Sequence, residues 1–151
     1  MRTYLRTDSE NVDFQMLVAL LDIELRILDG DDHVFYAQFN KSDMIKHVVV
    51  AYEHNVAVGC GALRGYADDT VEIKRMYVPV AHRNKGIATG ILHELEIWAI
   101  SLNFEICILE TGNRQLEALH LYPKAGYNLI SNFGKYEGIE NSICFEKILK
   151  D

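Results

Sequence analysis

One stretch of this chain runs from a strand through a loop directly into a helix, from residue 72 to residue 88, with the letters EIKRMYVPVAHRNKGIA. Its tail, Arg83 to Ala88, places two cations and a glycine where the helix begins. The first amides of a helix have no intrahelical partner and lie at the positive end of the helix dipole, so they attract anions. Because a glycine also lets backbone and ligand approach closely, the stretch predicts a phosphate-binding loop.

Regular elements are predicted on the N-terminal side of this stretch. Residues 3–6 form a short edge strand, and the capping-box spacing of Thr7 to Glu10 opens an amphipathic helix that ends before Asp29-Gly30. Its predicted apolar face consists of Val12, Met16, Leu17, Leu20, Leu21, Leu25 and Leu28. The next β-rich runs, separated by tight turns, predict three strands in an antiparallel meander. Gly59 and Gly61 in the second of these runs indicate a bulge or the close approach of another backbone.

The C-terminal half adds a strand–helix–strand unit. Apolar residues recur every three or four positions from Ile87 to Leu102, which predicts an amphipathic helix, and the apolar run FEICILE then predicts a buried strand. Such a unit implies a right-handed parallel crossover. A short helix around residues 115–127 and two more strands complete the chain, so we predict one mixed α/β domain over residues 1–151.

Composition excludes several classes of function. The chain has 151 residues, a formal net charge of −7 and no basic stripe, so a nucleic-acid partner is not expected and a cationic acceptor is favoured. The three cysteines show no CxxC spacing and sit among apolar residues, which predicts buried thiols in a reducing compartment. No apolar run is long enough to span a bilayer, and His93-Glu94 lacks the second histidine of a zinc motif. A cytoplasmic protein without membrane association or bound metal is expected.

Two blocks of sequence resemble the GNAT superfamily of acetyl-CoA-dependent N-acetyltransferases. Residues 83–88 fit the pattern R/Q-x-x-G-x-G/A, and the preceding MYVPVAHR resembles the fourth strand of that family and its exit. LETGNRQLEALHLYPKAGY resembles the fifth strand and the helix that follows it. The resemblance extends from about Val56 to Tyr127. It implies the GNAT fold, with a mixed, mostly antiparallel sheet of about six to seven strands flanked by about four helices, and acetyl-CoA as co-substrate.

The resemblance also implies which residues hold the co-substrate. The backbone of residues 76–78 would pair with the pantetheine arm, and the amides of residues 84–88 would hold the diphosphate, with charge from Arg83 and Lys85. Gln115 stands where the family often has an asparagine that contacts the pantetheine or the acceptor. The full predicted set is Met76, Tyr77, Val78, Arg83, Asn84, Lys85, Gly86, Ile87, Ala88 and Gln115.

Two residues match catalytic positions of the family. Glu72 stands where a glutamate often acts as general base, directly or through water; the alternative is a surface carboxylate paired with Lys74 or Arg75. Tyr122 stands where a tyrosine approaches the CoA sulfur and can return a proton to the thiolate; the alternative is a core tyrosine.

The acceptor is expected to meet carboxylates and aromatics outside these motifs. The segment of residues 31–40 mixes aromatic and polar side chains, which is typical of a binding-site wall and equally of a loop that fills the core. We assign the acceptor site to Asp32, His33, Tyr36 and Glu110.

The combined interpretation is an N-acetyltransferase that moves acetyl to a primary amine of a small molecule by direct attack in a ternary complex. A protein or peptide acceptor and a catalytically silent CoA-binding regulatory module are the alternatives. The sequence leaves the identity of the acceptor and the oligomeric state, including a homodimer, open.

Overall fold

The computed structural model describes residues 1–30 and 44–149. Their strands are β1 (Arg2–Thr7), β2 (His47–Glu53), β3 (Val56–Ala67), β4 (Thr70–Tyr77), β5 (Ile106–Gly112), β6 (Asn128–Ile130) and β7 (Ser142–Ile148). Their helices are α1 (Val12–Asp29), α2 (Ile87–Ser101) and α3 (Leu116–Lys124), with short 3₁₀ helices at Val80–His82 and Gly134–Tyr136. None of the helices formed by these residues combines the length and apolar character of a membrane span.

The seven strands form one sheet in the order β1-β2-β3-β4-β5-β7-β6. Every neighbouring pair is antiparallel except β4 and β5, which are parallel and joined through α2. A parallel pair needs such a long crossover, whereas β2, β3 and β4 follow one another through tight turns. The sheet confirms the predicted mixed, mostly antiparallel α/β fold. Three α-helices are present in residues 1–30 and 44–149, against about four expected.

The helices cover both faces of the sheet. On one face, α2 packs against Val71 and Ile73 of β4 and Leu109 of β5. On the other face, α1 packs against β2 and β3. Since side chains alternate along a strand, Glu72 and Lys74 point to the α1 face, away from the larger core.

Two glycines of β3 let α2 approach the sheet. A Cβ atom on Gly59 would lie 2.8 Å from the side chain of Ile91, and one on Gly61 would lie 2.9 Å from that of Leu95. The neighbours of these glycines are helix side chains and not the other backbone that was one of the two expectations, whereas the register shifts beside Gly59 and Gly61 agree with the other expectation, a bulge.

The start and the buried face of α1 differ from the prediction. Asn11 is the N-cap, and its side chain accepts a hydrogen bond of 2.9 Å from the backbone N–H of Phe14. The capping-box residues Thr7 to Glu10 thus precede the true cap. The buried apolar positions are Phe14, Leu17, Leu21 and Leu25. Three predicted core positions, Val12, Met16 and Leu20, are exposed because the sheet meets the neighbouring stripe of the helix.

The sheet opens at its centre. The β4–β5 ladder contains three pairs and ends at Glu72 and Ile108. On its other side, β4 pairs with β3 through Lys74 opposite Ala62 and then Tyr77 opposite Cys60, so two residues of β4 oppose one of β3. This two-to-one pairing is a β-bulge in β4. The bulge and the short ladder leave β4 and β5 free to separate beyond residue 72.

Candidate active site

A cleft of about 930 Å³ lies at the end of β4, bounded by the first turn of α2, by α3 and by one side of α1. Its volume falls within the range of small-molecule sites. The cleft collects most of the predicted co-substrate residues and one predicted catalytic residue. These are Met76, Tyr77, Val78, Arg83, Asn84, Gly86, Ile87, Ala88, Gln115 and Tyr122. Lys85, which was also predicted, is not among the lining residues.

The N-terminus of α2 forms one wall of the cleft. Gly86 is the N-cap residue, with φ at 79°, and no described side chain caps the helix. Asn84 also has positive φ, at 65°. The first-turn amides of a 15-residue helix therefore lie beside the cleft without a side-chain acceptor. Uncapped amides and a glycine that leaves room for a ligand fit a diphosphate group.

Arg83 joins three walls of the cleft. Its Nε donates to the carbonyl of Val78, its Nη1 pairs with Glu117 of α3 and its Nη2 pairs with Glu24 of α1, each at 2.7 Å. The sequence predicted that this arginine would supply charge to a diphosphate. In this structure its charge is already matched by two carboxylates, so its visible role is to hold β4, α1 and α3 together.

Tyr122 occupies the inner wall of the cleft. It is 5% exposed, and its ring lies 5.6 Å from that of Tyr127 in an edge-on arrangement. Burial raises the pKa of its phenol above the ordinary value of 10.0. The group therefore stays protonated at neutral pH and can act only as a proton donor there.

The carboxylate of Glu72 lies on the α1 face in a buried pair with Lys74. The Lys74 Nζ is 3.5 Å from Glu72 Oε2 and 3.5 Å from the hydroxyl of Tyr136. Tyr136, on the 3₁₀ helix before β7, is 2% exposed. A surface carboxylate paired with Lys74 was one alternative predicted for Glu72. The pairing is present, but both side chains are buried.

Glu110 lies on β5, on the same face and two residues beyond the last β4–β5 pair. Its Oε2 atom is buried without a hydrogen-bond partner among the described residues. Burial raises the pKa of this carboxyl from 4.5 to about 7, and a hydrogen bond from Ser142 and the charge of Lys74 oppose that rise. A carboxyl poised near neutral pH at the open end of the ladder is suited to proton transfer.

Arg75 and its partner Asp22 were not among the predicted site residues. The Arg75 side chain is 2% exposed, and its Nη2 lies 2.7 Å from Asp22 Oδ1. The neighbouring cations Lys74 and Arg75 are visible in the sequence, but the bulge that buries both on one face is a tertiary feature. Three predicted acceptor residues, Asp32, His33 and Tyr36, lie outside the described residues.

A second buried polar cluster supports the wall that carries Tyr122. Glu96 of α2 accepts hydrogen bonds from the hydroxyl of Tyr127 and from Lys147 Nζ, both at 2.9 Å. Lys147 also donates to the carbonyl of Ala125 at 2.9 Å. This network ties α2, β7 and the end of α3 together, and its residues do not line the cleft.

Comparison with known proteins identifies the relatives of this chain. A model of the Acetyltransferase (GNAT) family matches residues 14–127. The IAA acetyltransferase of Azospirillum brasilense is 33% identical over 106 residues, which make up 67% of each protein. The uncharacterized N-acetyltransferase YsnE of Bacillus subtilis (strain 168) is 32% identical over 101 residues, or 66% of this chain and 67% of the relative.

Solved structures share the whole architecture. A Klebsiella pneumoniae protein assigned as an acyl-CoA N-acyltransferase superposes with a TM-score of 0.83 over 99% of both chains, at 27% identity. A GNAT family acetyltransferase from Elizabethkingia anophelis, solved with acetyl-CoA bound, gives a TM-score of 0.69 over 98% of both chains, at 20% identity. The family match over most of the chain, joined to this fold, shows that the protein belongs to the GNAT acetyltransferase family and is an acetyl-CoA-dependent acyltransferase.

Proposed function

We propose that the protein transfers acetyl from acetyl-CoA to a primary amine of a small molecule by direct attack in a ternary complex. The observation that carries this proposal is Glu110, a carboxyl with a pKa of about 7 and a buried oxygen that has no partner among the described residues, beside the separation of β4 and β5. A primary alkylamine is a cation at neutral pH, so the site must both attract it and remove a proton. Ionised Glu110 would do both.

The co-substrate would be held by the cleft residues described above. The α2 amides would take the diphosphate, and the backbone of residues 76–78 would align the pantetheine arm beyond the last β4–β5 pair. When bound, acetyl-CoA supplies an activated thioester carbonyl. Tyr122, kept protonated by burial, would give its proton to the departing thiolate. Lys85, outside the lining of the cleft, would act on the co-substrate only as a nearby charge.

The cysteines support direct attack. Burial raises the pKa of Cys60 and of Cys107 to about 12, and that of Cys144 to about 11. All three are buried free thiols, as the sequence predicted. A thiol of such high pKa has almost no thiolate at neutral pH, which argues against an acetyl-cysteine intermediate.

Glu72 and Glu110 are the two candidates for the base. Glu72 matches the family position, but its carboxylate faces Lys74, whereas one oxygen of Glu110 has no partner in residues 1–30 and 44–149. We favour Glu110 as the proton acceptor, with Glu72 holding Lys74 in place. Glu110→Gln is expected to lower kcat by about 10²–10³-fold and to remove the rise of kcat near pH 7. The same outcome in Glu72→Gln, with Glu110→Gln active, would restore the base role to Glu72.

The general test is release of free thiol from acetyl-CoA by the purified protein with a panel of amines and peptides. Turnover with small primary amines is expected. Turnover only with peptides would favour the protein N-acetyltransferase alternative. Binding of acetyl-CoA without turnover of any acceptor would contradict the proposal.

A further inference from the structure

The edge strand β1 lies along α2 and contacts it through alternate side chains. Arg2 contacts the loop just before the helix, Tyr4 contacts Gly90, and Arg6 pairs with Glu94. These three residues share one face of the strand, because side chains alternate from one face to the other. Two residues of a strand advance by about 6.7 Å and four residues of a helix by about 6 Å, so the two elements stay in step.

Arg2 ties the loop to the sheet. Its Nη2 donates to the carbonyl of Lys85 at 2.9 Å, and its Nε donates to Glu53 Oε2 at 3.0 Å. Glu53 lies directly opposite Arg2 in the β1–β2 ladder, so β2 fixes the position of the guanidinium. A Cβ atom on Gly86 would lie 3.9 Å from Arg2 Nη1. The guanidinium therefore lies beside the peptide that immediately precedes α2.

Tyr4 packs against the first turn of the same helix. A Cβ atom on Gly90 would overlap the hydroxyl of Tyr4 and would lie 2.7 Å from the ring carbon Cζ. The N–H of Gly90 donates to the carbonyl of Gly86 at 3.1 Å and so closes the first turn. Strand β1 thus contacts both the loop and the turn that carry the amides expected to hold the diphosphate.

Arg2 acts on the loop from outside the cleft. Neither Arg2 nor Tyr4 lines the cleft, and both precede residues 14–127, which the family model matches. We propose that Arg2 is a positioning residue for acetyl-CoA, because it holds the Lys85–Gly86 peptide so that the first amides of α2 stay directed at the diphosphate. This inference rests on the proposed function, since it assumes that these amides bind the co-substrate. A loop that is fixed before binding loses less conformational freedom when the ligand arrives, so anchoring it increases affinity.

Calorimetry with CoA tests Arg2 against a second arginine of the same strand. Arg2→Met keeps a long side chain but loses the charge and the donors, so the Kd of CoA is expected to rise about fivefold to tenfold. The kcat at saturating acetyl-CoA should stay within about twofold, because Arg2 touches no reacting atom. Arg6→Met is the matched control: it loses the 2.7 Å contact with Glu94 and the stacking on Trp98, but the Kd of CoA should stay within about twofold. An unchanged Kd in Arg2→Met, or an equal rise in both variants, would overturn the proposal.

A substitution of Glu53 separates positioning from the attraction of charges. Glu53→Ala removes a negative charge near the loop, so electrostatics alone would leave the CoA anion bound equally or more tightly. Positioning predicts the opposite, a Kd at least about threefold higher, because Arg2 loses its anchor. Equal or tighter binding by Glu53→Ala would refute positioning, and this variant decides alone should Arg2→Met not fold. Failure of the wild-type protein to bind CoA would refute the proposed co-substrate site as well, whereas wild-type binding with no effect of either variant would refute only the role of Arg2.

Discussion

The cleft beside α2 and the buried polar cluster on the α1 face, formed by Glu72, Lys74, Glu110 and Tyr136, differ in how the chain builds them. Most of the first site comes from one run of residues, because the end of β4, the loop and the first turn of α2 are consecutive in sequence. The second combines β4, β5 and the 3₁₀ helix before β7, with α1 behind Arg75. A local site, built from consecutive residues, can be recognised from a sequence motif. A composite site, built from separate strands like the cluster on the α1 face, depends on the register of the sheet. The same contrast predicts where substitutions have separable effects.

The sharpest test concerns the local site. Gly86→Glu should raise the dissociation constant of CoA by about 100-fold or more, because it strains a residue at φ 79° and adds a negative charge where the diphosphate is expected. Calorimetry with CoA measures this directly. Gly138→Glu is a matched control, since Gly138 has φ 75° and a side chain there would meet nothing within 4 Å. Equal CoA binding by both variants would contradict the assignment of the loop.

Tyr122 lies at the inner end of the cleft. Its substitution tests whether the cleft and the polar cluster on the α1 face act in the same reaction there. Tyr122→Phe should lower kcat by about 100-fold through loss of the proton donor, with CoA affinity within threefold. Tyr127→Phe is the control: it loses the 2.9 Å hydrogen bond to Glu96 and about 1 kcal/mol of stability but should keep its kcat. Unchanged kcat in Tyr122→Phe would make Tyr122 a core residue only.

The titration of Glu110 should make the free energy of unfolding depend on pH. Its pKa is about 7 in the folded protein, above its ordinary value of 4.5, so the folded state binds a proton more tightly than the unfolded state between these values. The free energy of unfolding should therefore fall as the pH rises from about 5 to 7, by about 1–2 kcal/mol after allowance for partial exposure. Urea unfolding at several pH values measures it, and Glu110→Gln should remove this part of the slope. An identical slope in that variant would show that Glu110 is not the titrating group.

The smallest expected effect separates the two carboxylates that hold Arg83. The side chain of Glu117 is 66% exposed and that of Glu24 is 30% exposed. Glu117→Gln should cost less than about 0.5 kcal/mol of unfolding free energy, and Glu24→Gln about 1 kcal/mol, because solvent screens the exposed pair more strongly. Urea unfolding of both variants provides the comparison. A larger cost for Glu117→Gln would mean that α3, more than α1, anchors this wall.

The patterns that predicted the fold were those with a clear period. Steps of three and four from Ile87 onward correctly located α2, and the short turns between β2, β3 and β4 correctly gave an antiparallel meander. The apolar face of α1 was predicted less well, because this helix has apolar residues on two stripes. Exposed Val12 and buried Leu17 look alike in the sequence, and contact with the sheet distinguishes them.

What the sequence alone determined is the local chemistry of the cleft, since a strand, a loop, a glycine and a helix start that are consecutive must also be neighbours in space. The tertiary structure decided what each charge faces. It paired Arg83 with Glu24 and Glu117 and buried Glu72 against Lys74. Within the part of the chain that the structure describes, it left an oxygen of Glu110 and two nitrogens of Arg75 without partners. Charged side chains find their partners on distant segments of the chain, and one bulge in β4 changes which side chains share a face. A single sequence carries no direct signal for the strand register that brings these partners together.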